Sequence, residues 1–214
     1  MPDFGRMLSA RVATSLQLPA TFEQLRLHAL PGTIEHRLLH PRRIESAYEM
    51  AFLRVFIAWE DVLEQSFIRY LSGYQNAIGG YAPAAGIAFS GSVAAAEIQL
   101  YGAKDYLLWH NPNHVIARSR RFFNLGLHEQ VCQSNLARLI AFAAVRHRIA
   151  HGQADARVKF DNATMLLVGK RYHGGRPGSF LRELEPSTMH PAPPRRWIEA
   201  ISSEFVALIN QIVP

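Results

Sequence analysis

The sequence predicts an all-α fold, an antiparallel helical bundle. Two observations carry this. Residues 42–72 and 128–150 are long stretches whose apolar residues recur every three or four positions, the period of an amphipathic helix. A further stretch of the same kind, 195–212, lies at the far end, and strand-like alternation is confined to one short segment between them.

Taken in order, residues 21–30 read as a short helix capped by Thr21, with Glu23 in its first turn and Pro31-Gly32 as its stop. In 42–72 the stripe comprises Ile44, Ala47, Tyr48, Ala51, Phe52, Val55, Phe56, Trp59, Val62, Leu63, Phe67, Tyr70 and Leu71. Glu45, Glu49, Arg54, Asp61 and Glu64 lie off it, and Gly73 ends it. Residues 73–92 are rich in Gly, Ala, Ser and Pro, including Gly79-Gly80 and Pro83, and read as a loop. A helix is expected over 94–108. Asn111 before Pro112 then starts another, which carries Arg118, Arg120 and Arg121 and closes near 124–126.

The stretch 128–150 reads as one long helix with Val131, Leu136, Leu139, Ile140, Ala143 and Ala144 apolar. Its expected packing against 42–72 runs through Phe52, Val55, Phe56, Trp59, Leu139, Ile140 and Ala143. Beyond Gly152, Val158, Phe160 and 165–168 look extended around a turn at Asp161-Asn162, which admits a small β-hairpin near the C-terminus. Loops with Gly174-Gly175, Pro177-Gly178 and Pro191 lead to the last helix. The organisation expected is an N-terminal helical extension over 1–40, a helical core over 41–155, and a segment 156–214 that packs on the same domain.

The 214 residues suffice for one domain with a substantial core. No apolar run approaches the roughly 18–20 residues of a membrane span, so no membrane partner is expected. The opening residues lack a basic stretch followed by an apolar one, so no secretory signal is expected. One cysteine, Cys132, forms neither an internal disulfide nor a thiolate zinc site, and suits a reducing cytoplasm and a small core residue. The net charge of +6 suits a polyanionic partner; nearly all the cations are arginine, the lysines being Lys104, Lys159 and Lys170.

The richest segment chemically is Arg146-His147-Arg148-Ile149-Ala150-His151-Gly152, at the end of an apolar helical run. It gathers a permanently charged guanidinium and two imidazoles that titrate near neutral pH before a glycine stop. His147 and His151, four apart, share a helix face, whereas Arg146 and His151 lie about 140° apart on a straight helix. One phosphate is therefore reached by both only if the helix unwinds before Gly152 or if two subunits share a cleft. The two histidines have the spacing of metal ligands, but Arg148 repels a cation and no HExxH glutamate is present, so no metal is expected. Neither Gly-Gly pair makes a phosphate loop, so no cofactor or nucleotide-driven chemistry is expected. The remaining histidines (His28, His36, His40, His110, His114, His128, His173 and His190) are scattered and read as surface or capping residues.

With Arg146, Ile149, Ala150, His151 and Gly152 in place, the segment resembles the HEPN superfamily motif, especially that of bacterial HEPN domains of the RiboL-PSP type. That motif is often written Arg-Asn-x-Ile-Ala-His-Gly, and His147 stands at the Asn position. The stretch 52–71, with Trp59-Glu60-Asp61-Val62-Leu63-Glu64, resembles the family's long first core helix, and the likeness covers roughly 40–155. The resemblance implies metal-independent endoribonuclease activity in a homodimer. It also implies roles as a toxin or anti-phage effector that works with an inhibitor or sensor protein. Other members are non-catalytic modules that scaffold a protein partner or bind a nucleotide. The residue chemistry fits RNA cleavage by the 2′-hydroxyl. His151 suits proton transfer, Arg146 suits the phosphate through its bidentate fork, and His147 suits orientation or a second proton transfer. Arg148, Arg118 and Arg121 are the expected substrate-binding cations along the RNA path.

Overall fold

A computed structural model describes residues 1–79, 81–186 and 194–214; Gly80, His190 and Pro191 lie outside these described residues. Among the described residues the fold is all-α: ten α-helices and one two-stranded antiparallel sheet. The helices are α1 (Phe4–His28), α2 (Ile34–Leu38), α3 (Pro41–Leu71), α4 (Val93–Tyr101), α5 (Pro112–Phe122), α6 (Leu127–Ser134), α7 (Leu136–Ala150), α8 (Ala154–Val168), α9 (Pro177–Arg182) and α10 (Trp197–Ile212). The sheet pairs β1 (Ala82–Pro83) with β2 (Phe123–Asn124). No helix of the described residues is long and apolar enough to cross a membrane.

The long helices follow their apolar stripes. Every stripe residue of α3 is buried, from Ile44 to Leu71, and the α10 face of Trp197, Ile198, Ile201, Phe205, Leu208, Ile209 and Ile212 is buried throughout. α5 begins as its sequence dictates: the Asn111 side chain accepts the Asn113 N–H, and Pro112 occupies the first turn.

Five elements depart from the sequence expectation, one of them the loop expected at Pro177-Gly178, which is the start of helix α9. The short helix at 21–30 is the end of the longer α1. Pro19 lies inside α1, and Thr21 caps nothing; its hydroxyl donates to the Gln17 carbonyl at 2.9 Å. α4 stops at Tyr101, because Gly102 takes a positive φ. The stretch 128–150 is two helices, broken at Asn135, whose side chain donates to the Val131 carbonyl. The break resets the helical phase. α7 consequently buries Leu139, Ala141, Phe142, Ala144 and Val145, whereas Ile140, expected in the core, is 44% exposed and Ala143 is half-buried. Finally, the hairpin expected around Asp161-Asn162 is helix α8. Its buried residues are Ala156, Phe160, Ala163 and Thr164, at helical spacing but mostly small, while the apolar Val158, Met165 and Leu166 face outward. The small antiparallel pairing that does occur joins residues 82–83 to 123–124.

The chain divides into two compact units: residues 1–8, 58–140 and 205–214, and residues 9–57 and 141–204. In the first, Phe67 is ringed by Trp109, Phe122, Phe123 and His128, and Trp59 stacks on Phe205 at 4.8 Å. Cys132 is a buried core residue here. His128 is no surface residue. It is completely buried, with Nε2 2.9 Å from the Ser66 hydroxyl and Nδ1 3.4 Å from the Tyr81 hydroxyl. Ser66 itself donates to the Leu63 carbonyl. A neutral His128 therefore donates from Nε2 and accepts at Nδ1. Desolvation pushes its pKa down to about 3.

In the second unit an aromatic cluster of Phe160, Tyr172, Phe180 and Trp197 ties α8, α9 and α10 together. The acids off the α3 stripe have structural roles: Glu45 pairs with Arg176 at 3.2 Å, and Glu49 accepts the Gly178 N–H at the start of α9. On α1, Glu23 accepts two hydrogen bonds from Arg182, at 2.6 and 3.0 Å, one from the Tyr48 hydroxyl, and faces Arg196.

Candidate functional site

The motif occupies the last turn of α7 and the two residues that follow it, in the second unit, where α7 is fixed from within by buried Phe142 and Val145. α7 and α8 pack through small residues, Ala141 and Ala144 against Ala163, with Leu167 at the edge. That close approach folds residues 151–153 into a short link, so the end of one helix meets the start of the next.

His147 and His151 sit side by side, ring centroids 4.6 Å apart and planes inclined by 50°. His147 is partly covered and His151 is exposed. The His151 N–H still donates to the His147 carbonyl at 2.9 Å, so the chain keeps its helical bonding up to His151. The unwinding that would let Arg146 and His151 of one chain face one phosphate does not occur. Arg146 is half-buried on a different side of the helix.

Arg148 belongs to the scaffold. Its Nε donates to the Gly175 carbonyl at 3.0 Å and its Nη1 to the His151 carbonyl at 3.2 Å. It thus caps the end of α7 and ties it to the short 3-10 turn His173–Gly175. Gly175 is required there: its φ is +58°, and an added Cβ would lie 3.1 Å from the Arg157 side chain.

Two residues missed at the sequence level complete the cluster. Asp155 Oδ1, in the first turn of α8, lies 3.8 Å from His147 Nε2, and Asp155 Oδ2 accepts from Lys159 Nζ at 2.8 Å. Burial, His151 and Lys159 lower the His147 pKa, against the opposing pull of Asp155. The Lys159 ammonium holds Asp155 below the ordinary carboxylate range. The Asp155/Lys159 pair, acid four residues before base, is itself a helix signal that speaks against a hairpin over this segment.

The other expected substrate-binding cations, Arg118 and Arg121, lie in the first unit and do not share an environment. Arg118 is half-buried with its guanidinium 4.1 Å from the Trp109 ring, and its pKa is lowered by burial against Glu64 and Tyr101. Arg121 is exposed with its guanidinium over the Phe122 ring at 5.4 Å, and Arg120 pairs with Glu129 at 2.7 Å. Among the described residues no three His, Cys, Asp or Glu side chains are arranged to hold a metal ion. Compared with protein-family models, curated proteins and solved structures, the chain finds no match.

Proposed function

We propose that the protein is a metal-independent endoribonuclease of HEPN type that works as a homodimer on RNA. The observation that carries this reading is the pair of imidazoles 4.6 Å apart at the end of α7, one lowered in pKa and the other exposed. Burial and the neighbouring His151 disfavour the protonated form of His147, which suits His147 to the role of base and leaves the role of acid to the second imidazole. In the step proposed, one imidazole takes the proton of the RNA 2′-hydroxyl and its oxygen attacks the adjacent phosphorus. The P–O5′ bond breaks, and the other imidazole protonates the departing 5′-oxygen. The products are a 2′,3′-cyclic phosphate and a 5′-hydroxyl, with no further reactant. Because Arg146 and His151 diverge on an unbroken helix, the phosphate lies in a cleft to which two copies contribute, Arg146 from one and the imidazoles from the other.

Incubation with total RNA in EDTA tests this. Cleavage should persist, leave cyclic phosphate ends and spare DNA, which lacks the attacking hydroxyl. Arg146→Ala and His151→Ala should each lose about 10²-fold or more in rate. Arg146→Lys should not rescue, since an ammonium lacks the bidentate fork. Metal-dependent cleavage, or a fully active His151→Ala, overturns the reading. A second reading, a non-catalytic module that scaffolds a protein partner, is favoured by Arg148, whose guanidinium is engaged by the Gly175 and His151 carbonyls. Wild type that is folded and inert on every RNA selects it.

A further inference from the structure

We infer that Asp155 is a positioning residue for His147, oriented by Lys159, and that it fixes which imidazole nitrogen of His147 takes up the substrate proton. The inference rests on the nuclease reading for its chemistry, but its geometry is independent of it. One carboxylate has two occupations. Oδ2 is held by Lys159 Nζ at 2.8 Å, and Oδ1 faces His147 Nε2 at 3.8 Å. The lysine lies one turn further along the same helix, so it steadies the acid without occupying the oxygen that faces the ring. A carboxylate beside Nε2 favours the tautomer with the proton there and leaves Nδ1 as the acceptor. His147 then enters the reaction as a base through Nδ1. The charged and titratable groups that act on His147 are His151, just beyond the end of α7, and Asp155 and Lys159 on α8. His151 and Lys159 disfavour its protonation and Asp155 favours it.

Two-dimensional 15N–1H spectra of the histidine side chains read the tautomer and pKa of His147 directly in the full chain, whether or not RNA is cleaved. Asp155→Asn keeps the side-chain shape and removes the charge. The expected result is a loss of the Nε2–H preference and a further fall of the His147 pKa in Asp155→Asn, restored in part by Asp155→Glu. Lys159→Ala, which frees the carboxylate, should weaken the preference by less. In the cleavage assay Asp155→Asn should lower the rate on the order of tenfold, less than loss of a proton-transfer group itself, and move the acidic limb of the pH–rate profile to lower pH. An unchanged tautomer and pKa in Asp155→Asn, with the helical circular dichroism intact, overturns the inference. Inert wild type overturns the nuclease reading instead, and leaves the spectroscopic result to decide the role of Asp155.

Discussion

His128 shows what one buried titratable side chain does to a fold. Its pKa of about 3 lies below the ordinary value near 6.5, so between the two the unfolded chain binds a proton that the native state refuses. Stability should be fully present above about pH 6.5 and fall by up to about 1.4 kcal/mol per pH unit as the pH drops towards 3. Urea denaturation at a series of pH values checks this. His128→Gln, which can keep partners on Ser66 and Tyr81, should be less stable at pH 7 and flatter with pH. Glu23 has the same sign of dependence from a different cause. Burial opposes its ionisation, but Arg182 and Arg196 prevail and hold its pKa low. Its contribution is therefore present above the ordinary carboxylate range and lost as the pH falls through the lowered pKa. Glu23→Gln should cost about 2 kcal/mol at neutral pH, because two partly covered guanidiniums lose their carboxylate. The deficit should shrink in acid.

Among the elements, α8 and the start of α9 are the ones that tertiary packing reveals. If residues 161–162 formed a turn, proline at 162 would be well placed. Inside a helix it removes a hydrogen bond and clashes with the preceding turn, at about 3 kcal/mol or more. Asn162→Pro should therefore collapse the urea midpoint, whereas Asn162→Ala, at an exposed position, should leave it unchanged or slightly raised. α9 is held by backbone contact with α3. A Cβ at Gly178 would stand 2.4 Å from the Glu45 carbonyl oxygen, so Gly178→Ala must push the two backbones apart. A loss of about 1–3 kcal/mol in thermal or urea unfolding is the expected result.

For the whole molecule, the periodicity of long apolar helices was enough to establish an all-α fold, the burial of the α3 stripe and the apolar face of α10. The motif at the end of α7 was legible too, because Arg, two histidines and a glycine stop within seven residues are a local property of the chain. Apolar patterns could not place α8, where the buried positions are two alanines, a threonine and a single phenylalanine, and the conspicuous apolar side chains point outward. They could not place His128, since a histidine looks the same in sequence whether it meets water or Ser66 and Tyr81. Nor did they separate the arginines by role. Arg148 bonds two carbonyls and Arg118 covers an indole, both through partners distant in sequence or set by a loop. Asp155 joined the cluster only when α8 turned back against α7. What the sequence by itself determined is what depends on neighbours within a few turns of helix: the long helices α3 and α10, their apolar faces and the residue content of the motif. What only the tertiary structure decided is what depends on contacts between segments far apart in the chain, namely which polar groups are desolvated, which cations are already engaged, and which acid stands beside His147.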